Sequence, residues 1–399
     1  MLNLQKTLLT SATQRQRWEN LRQAAMRLRP AASQGRPPDC RLQETRFAGS
    51  NPGALRMFTY LPSHVTSGCP LVVVLHGCTQ TAASYDLGSG WSTLADRYGF
   101  ALLLPEQQRS NNPNGCFNWF QTGDIERGHG EALSIRQMID EMVASHGIDP
   151  ERVFVTGLSA GGAMTSVMLA TYPEVFAGGA IIAGLPYGGA SNVQQAFESM
   201  FQCPPRSARA WGDLVRQASP HQGPWPRVSV WHGGADTTVV PSNASEIVKQ
   251  WTDVHGLPAH PAVTESIDGY PRQLWRSPDG EELIESYTIP TMAHGTPLAV
   301  GEACDECGTA GAFLLDVGIS SSYHIAKFWG LADHPIAAAP QEGKLVPLAS
   351  GHLHGFETWP PTPEHLSAAS PASVPNSAAF DIRATITDAL KAAGLMKSP

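Results

Sequence analysis

Short, almost wholly apolar runs recur along the chain at residues Leu71–Leu75, 101–104, 152–156, 177–183 and 228–231. Between them lie longer segments in which apolar residues return every three or four positions, as at 83–98, Gly130–His146 and Ser242–His255. Runs this short, without polar alternation, are what strands look like when helices cover both faces, so the pattern predicts a mostly parallel α/β sheet with crossover helices. Residues 42–47 and 55–60, joined by Ser50-Asn51-Pro52-Gly53, read as an opening antiparallel hairpin. Residues 272–276 and Glu282–Ile289 read as another, about the turn Pro278-Asp279-Gly280, and 321–329 as a late helix.

The ends of the chain read differently. Residues 1–38 carry seven Lys and Arg against the single acid Glu19. Trp18, Leu21, Ala25 and Leu28 share one helical face, which predicts a basic amphipathic helix over 13–29 and a possible contact with a granule or other surface. From residue 332 the chain is rich in Pro, Ala and Ser, and 379–395 regains helical periodicity. The expected organisation is therefore a basic helical extension over 1–38, a catalytic domain over 39–331, and an extension over 332–399 that ends in a helix. The N-terminal apolar residues are interrupted by Gln, Arg and Glu, unlike a secretory signal, so the sequence by itself points to the cytoplasm.

Composition narrows the function. The 399 residues are 42% hydrophobic with a net charge of −8, which argues against nucleic acid as a partner, and no apolar run is long enough for a transmembrane segment. No oligomeric state is legible.

The candidate chemistry begins at Gly157-Leu158-Ser159-Ala160-Gly161, which lies between a β-branched run and an apolar helical pattern. A serine on such a strand-to-helix turn is exposed and held in a strained conformation, which makes Ser159 a candidate nucleophile. In a sheet of this kind the partners follow in the order nucleophile, acid, histidine, each beyond the carboxyl end of a strand. Asp236, after the run 228–231, stands where the acid belongs, and His294, after Glu282–Ile289, where the base belongs. Asp268 and Asp279 are neighbouring alternatives for the acid, the second within a turn signature. The loop His76-Gly77-Cys78-Thr79-Gln80 follows the first central strand. The backbone N–H of Cys78, with that of Ala160 at the helix start, would form an oxyanion hole. His76 and His232 read as packing residues that fix loops, and Glu131 as a helix-start carboxylate. Trp119 is a candidate substrate-binding wall.

These segments, with Gly115-Cys116-Phe117-Asn118-Trp119-Phe120 and His232-Gly233-Gly234-Ala235-Asp236, together resemble the poly(3-hydroxybutyrate) depolymerase family of esterases, which is related to feruloyl and acetylxylan esterases. The resemblance spans roughly residues 42–330. It implies an α/β-hydrolase fold, no metal or cofactor, and ester cleavage by Ser159, Asp236 and His294. It also implies a disulfide from Cys78 to Cys116, and members that are often extracellular. Seven cysteines leave at least one unpaired, and Cys304-Asp305-Glu306-Cys307 lacks the second ligand pair that a structural zinc site needs. The expected function is a serine esterase acting on poly- or oligo-(3-hydroxybutyrate)-type polyesters. The alternative is a carbohydrate-directed feruloyl or acetylxylan esterase; a non-catalytic granule- or surface-binding protein ranks lower.

Overall fold

The structure, a computed structural model, describes residues 41–333 and 335. The expected helices over 13–29 and 379–395, and the Pro/Ala/Ser-rich stretch from 336 onward, lie outside the described residues.

Ten strands form one sheet: β1 (Gln43–Thr45), β2 (Arg56–Tyr60), β3 (Leu71–Leu75), β4 (Ala101–Glu106), β5 (Val153–Leu158), β6 (Gly178–Ile182), β7 (Arg227–Gly233), β8 (Val263–Ile267), β9 (Tyr270–Arg276) and β10 (Glu282–Ile289). Their order across the sheet is β1-β2-β4-β3-β5-β6-β7-β10-β9-β8. The block β4-β3-β5-β6-β7-β10 is parallel, and β1, β2, β9 and β8 extend it by antiparallel pairing. Every residue of β3, β4, β5 and β6 is buried. Since successive side chains point to opposite faces, both faces of these strands are covered, as their unbroken apolar character predicts. This is the α/β-hydrolase architecture.

The helices are α1 (Ala82–Ser89), α2 (Trp91–Tyr98), α3 (Thr122–Ile125), α4 (Gly130–His146), α5 (Ala160–Thr171), α6 (Val193–Phe201), α7 (Ala208–Gln217), α8 (Ser242–His255) and α9 (Ser321–Phe328). The segment expected as one helix over 83–98 is two, because Gly90 takes a left-handed conformation with φ 75° and ends α1 where α2 begins. Two short strands, β11 (Thr296–Leu298) and β12 (Leu314–Asp316), pair with each other apart from the main sheet.

The chain runs from β3 out to β4 on one side and returns to β5 on the other, so β3 and β5 are neighbours from which the crossovers diverge. The carboxyl ends of such strands flank a crevice, which is where ligands bind in open α/β sheets. Ser159 and the loop 76–80 stand at the ends of these two strands.

Candidate active site

Ser159 is the hinge between β5 and α5. Its backbone is at φ 58° and ψ −116°, a conformation L residues rarely adopt, and it persists only because its surroundings over-determine it. Its N–H donates to Ile182 O at 2.9 Å, and its carbonyl accepts from Ala163 N at 2.8 Å, the first bond of the helix. Two residues on, a Cβ at Gly161 would run into the carbonyl oxygens of Leu75 and His76. Only glycine there lets the helix start against the end of β3.

Asp236 and His294 come from the loops after β7 and β10, and the main chain ties those loops together. Gly234 N donates to Ile289 O at 2.8 Å, and Ala235 N to Met292 O at 3.0 Å. Across this seam His294 Nδ1 lies 2.7 Å from Asp236 Oδ2. A carboxylate there accepts a hydrogen bond from Nδ1–H, which keeps the proton on Nδ1 and leaves Nε2 as the imidazole's acceptor. The other oxygen, Asp236 Oδ1, accepts from Thr238 N at 2.8 Å and Val239 N at 2.9 Å. Burial alone would raise the Asp236 carboxyl, but hydrogen bonds and charge attraction from His232 and His294 outweigh it and hold the carboxyl well below the ordinary range. His232 Nε2 donates to Val239 O at 2.8 Å and lies 3.4 Å from Asp236 Oδ2, so this histidine braces the aspartate from behind.

The third loop, 76–80, is joined by the disulfide Cys78–Cys116 to the segment before α3. Thr79 N donates to Asn114 O at 2.8 Å, a second stitch between the same two segments. His76 is buried, and burial pushes its pKa down to about 4. It is therefore neutral, donating from Nδ1 to Gly77 O at 2.8 Å and accepting at Nε2 from Gln107 N at 3.1 Å. Glu131 stands in the first turn of α4 as expected, and it is wholly buried. Its carboxylate accepts from Asn118 N at 2.8 Å and from the Gln107 side chain, whose amide also donates to Cys116 O at 3.1 Å. Desolvation raises the Glu131 pKa to about 8. Among the described residues, neither Cys78 N–H nor Ala160 N–H meets a protein acceptor.

Ser159, His294 and Cys78 line one cleft, whose remaining wall is mainly Leu158, Met200 and Phe313. Phe313 stands edge-on to His294, with ring centroids 6.1 Å apart. Trp119 is not part of this wall. It is 7% exposed and packs against Phe120 at 5.4 Å in the hydrophobic core, so the apolar wall comes instead from α6 and from the segment before β12. Neither Met200 nor Phe313 carries a motif that would mark it in the sequence.

The alternative acids stand elsewhere. Asp268 turns the chain between β8 and β9 and accepts from His324 Nε2 at 2.8 Å, while Asp279 is exposed in the turn between β9 and β10. Cys69, Cys203 and Cys307 are buried free thiols and Cys304 is an exposed one. Among the described residues no group of three or more His, Cys, Asp or Glu side chains is arranged to hold a metal ion, and no helix is long and apolar enough to cross a membrane.

Comparison with known proteins agrees with this architecture. The profile of the family described as esterase PHB depolymerase matches residues 55–264, more than half of the chain. A poly(3-hydroxyalkanoate) depolymerase C from Paucimonas lemoignei is 52% identical over 284 residues, which are 71% of this chain and 68% of that protein. An acetylxylan esterase from Coprinopsis cinerea is 36% identical over 267 residues, 65% of this chain and 70% of that one. Among solved structures, an acetyl xylan esterase from Aspergillus awamori superposes with a TM-score of 0.62 at 26% identity, covering 73% of this chain and 99% of its own. This chain belongs to the esterase PHB depolymerase family and is a carboxylic ester hydrolase.

Proposed function

We propose that the chain hydrolyses polyesters or oligoesters of 3-hydroxyalkanoates through an acyl-enzyme on Ser159. His294 Nε2 takes the serine proton as Oγ attacks the ester carbonyl, and then returns it to the departing alkoxide. Asp236 holds the imidazole with its proton on Nδ1 and stabilises the imidazolium that forms. The N–H groups of Cys78 and Ala160 receive the oxyanion, each such donor contributing roughly 3–4 kcal/mol to the transition state. Water, activated by the same histidine, then releases the acid.

The observation that carries this reading is the 2.7 Å contact between His294 and Asp236, with His294 lining a cleft that also holds Ser159 and Cys78. The choice of polyester rests on the 52% identity to a poly(3-hydroxyalkanoate) depolymerase, against 36% to an acetylxylan esterase. The wall of Leu158, Met200 and Phe313 suits an aliphatic acyl chain better than a sugar. The test is a panel of 3-hydroxybutyrate oligomers, amorphous poly(3-hydroxybutyrate), acetylated xylan and methyl ferulate, with Ser159→Ala as control. Release of 3-hydroxybutyrate by the wild type and not by the variant is expected. Faster cleavage of the xylan or ferulate ester would favour the carbohydrate-directed reading, and turnover by Ser159→Ala would reject the mechanism.

A further inference from the structure

The loop after β3 contributes one more polar group to the cleft. The Gln80 side chain lines it together with Cys78 and Ser159. Gly77 N–H donates to Gln80 Oε1 at 2.8 Å. A backbone N–H requires an acceptor, so this bond fixes which arm of the amide is the oxygen and turns the NH2 group away from Gly77. Among the described residues that NH2 group meets no protein acceptor.

We infer that the Gln80 amide N–H is a substrate contact that reads the 3-oxygen of the acyl unit. The inference rests on the polyester reading above. The N–H groups of Cys78 and Ala160 are assigned to the carbonyl oxygen, whose two ground-state lone pairs they match. The alkoxy oxygen departs toward His294. The Gln80 amide is a third fixed donor on a wall that also carries Leu158, Met200, Phe313 and the Thr238 side chain, and it is placed to meet one more acceptor on the ligand. A 3-hydroxyalkanoate unit has that acceptor two carbons from the carbonyl carbon, as a free hydroxyl at the chain end or as the ester oxygen of the preceding unit. A plain fatty-acyl ester has none. Gln80 is thus assigned to selecting the acyl group, and its bond to Gly77 holds the amide in place.

Sites built to hydrogen-bond a substrate oxygen reject analogues that lack it, because the donor is then left unpaired in an apolar surround. The experiment measures kcat/KM for three 4-nitrophenyl esters, of (R)-3-hydroxybutanoate, butanoate and 3-methylbutanoate, the last replacing the hydroxyl by a methyl of similar size. The enzymes are the wild type, Gln80→Met and Gln80→Glu. Gln80→Glu keeps an acceptor for Gly77 N–H while removing the donor; because its carboxylate can accept from a free 3-hydroxyl, its preference over the 3-methyl ester is read with the 4-nitrophenyl ester of (R)-3-methoxybutanoate, whose 3-oxygen can only accept. The wild type is expected to favour the 3-hydroxy ester over the 3-methyl ester about tenfold or more, and both variants to lose that preference. A wild-type preference that survives in both variants would overturn the assignment to Gln80 while leaving the polyester reading intact. A wild type that treats the three esters alike would overturn the inference without any variant. If that same enzyme deacetylates xylan but releases nothing from 3-hydroxybutyrate oligomers, the polyester reading fails with it.

Discussion

Replacing Cys116 by serine separates the two jobs that the Cys78–Cys116 disulfide performs. The bond closes a loop of 38 residues, and closing a loop of that length removes chain entropy from the unfolded state worth about 4 kcal/mol. The same bond holds the residue whose N–H is proposed to receive the oxyanion. Complete loss of one such donor costs about a hundredfold to a thousandfold in kcat. Here the loop keeps two other restraints, Thr79 N to Asn114 O and Gly77 N to Gln80 Oε1, so the expected loss is smaller. Cys116→Ser should lower the unfolding free energy by ~4 kcal/mol and kcat by ~10- to 100-fold, with KM changing less. Urea denaturation followed by tryptophan fluorescence reads the first, and steady-state hydrolysis of a soluble ester under conditions where the variant is folded reads the second. A thiol reductant should bring the wild type to the variant's values and leave the variant unchanged. A folded variant with wild-type kcat would show that Cys78 N–H is positioned without the disulfide, and the argument linking this bond to the oxyanion hole would fail.

Four further outcomes follow from Asp236, Glu131 and Trp119. Asp236→Asn should cut kcat by ~10³-fold or more because the amide no longer enforces the Nδ1–H form of His294, and steady-state rates near wild type would contradict this. The Asp236 carboxyl sits below its unfolded value, so its ionised form stabilises the fold above about pH 4 and that contribution is lost on further acidification. The stability gap between wild type and Asp236→Asn should therefore narrow below that pH; a constant gap in urea titrations would refute the assignment. Glu131 is the opposite case, raised to about 8, so its contribution is present below its unfolded value and is lost as pH rises toward 8. The wild type should lose stability relative to Glu131→Gln between about pH 5 and 8, and melting curves whose difference does not change with pH would contradict it. Trp119→Leu should cost ~2–4 kcal/mol of stability with KM unchanged, since the indole is in the core; a raised KM with normal stability would return Trp119 to the substrate wall.

The central strands are legible because burial on both faces leaves β3 to β6 almost wholly apolar, and a run such as Leu71–Leu75 would be costly anywhere but the interior. The elements that the apolar pattern does not reveal each have a mixed composition. β8 is an edge strand with the sequence Val-Thr-Glu-Ser-Ile and mostly exposed side chains, so nothing marks it before β9 is in place beside it. Helices α6 and α7 are different: Val193, Ala196, Phe197 and Met200, and likewise Trp211, Leu214 and Val215, recur at helical spacing, so both short helices are legible in the pattern. The break at Gly90 is hidden because glycine in a helical pattern does not say whether it is tolerated or used as a stop.

The candidate site divides along the same line. Ser159, Asp236, His294 and Cys78 sit immediately beyond strand ends, where chain order and turn chemistry restrict the choice. Met200 and Phe313 reach the cleft from segments whose path depends on tertiary packing, so neither is marked locally. Trp119 lies in a segment that resembles the family, but its aromatic composition suits a core as well as a wall. Glu131 reads only as a helix-start carboxylate, and its burial beneath Gln107 and Asn118 shows only in the fold. The partner of a buried carboxylate, unlike a nucleophile's turn, leaves no local signature.

The most direct test is stoichiometric reaction of the pure protein with diisopropyl fluorophosphate, followed by peptide mapping. The account predicts one adduct per chain, on Ser159, formed in step with loss of esterase activity and at least a thousandfold more slowly in His294→Ala. An adduct on a different serine, or a labelled Ser159 in a chain that still turns over ester at the full rate, would contradict it.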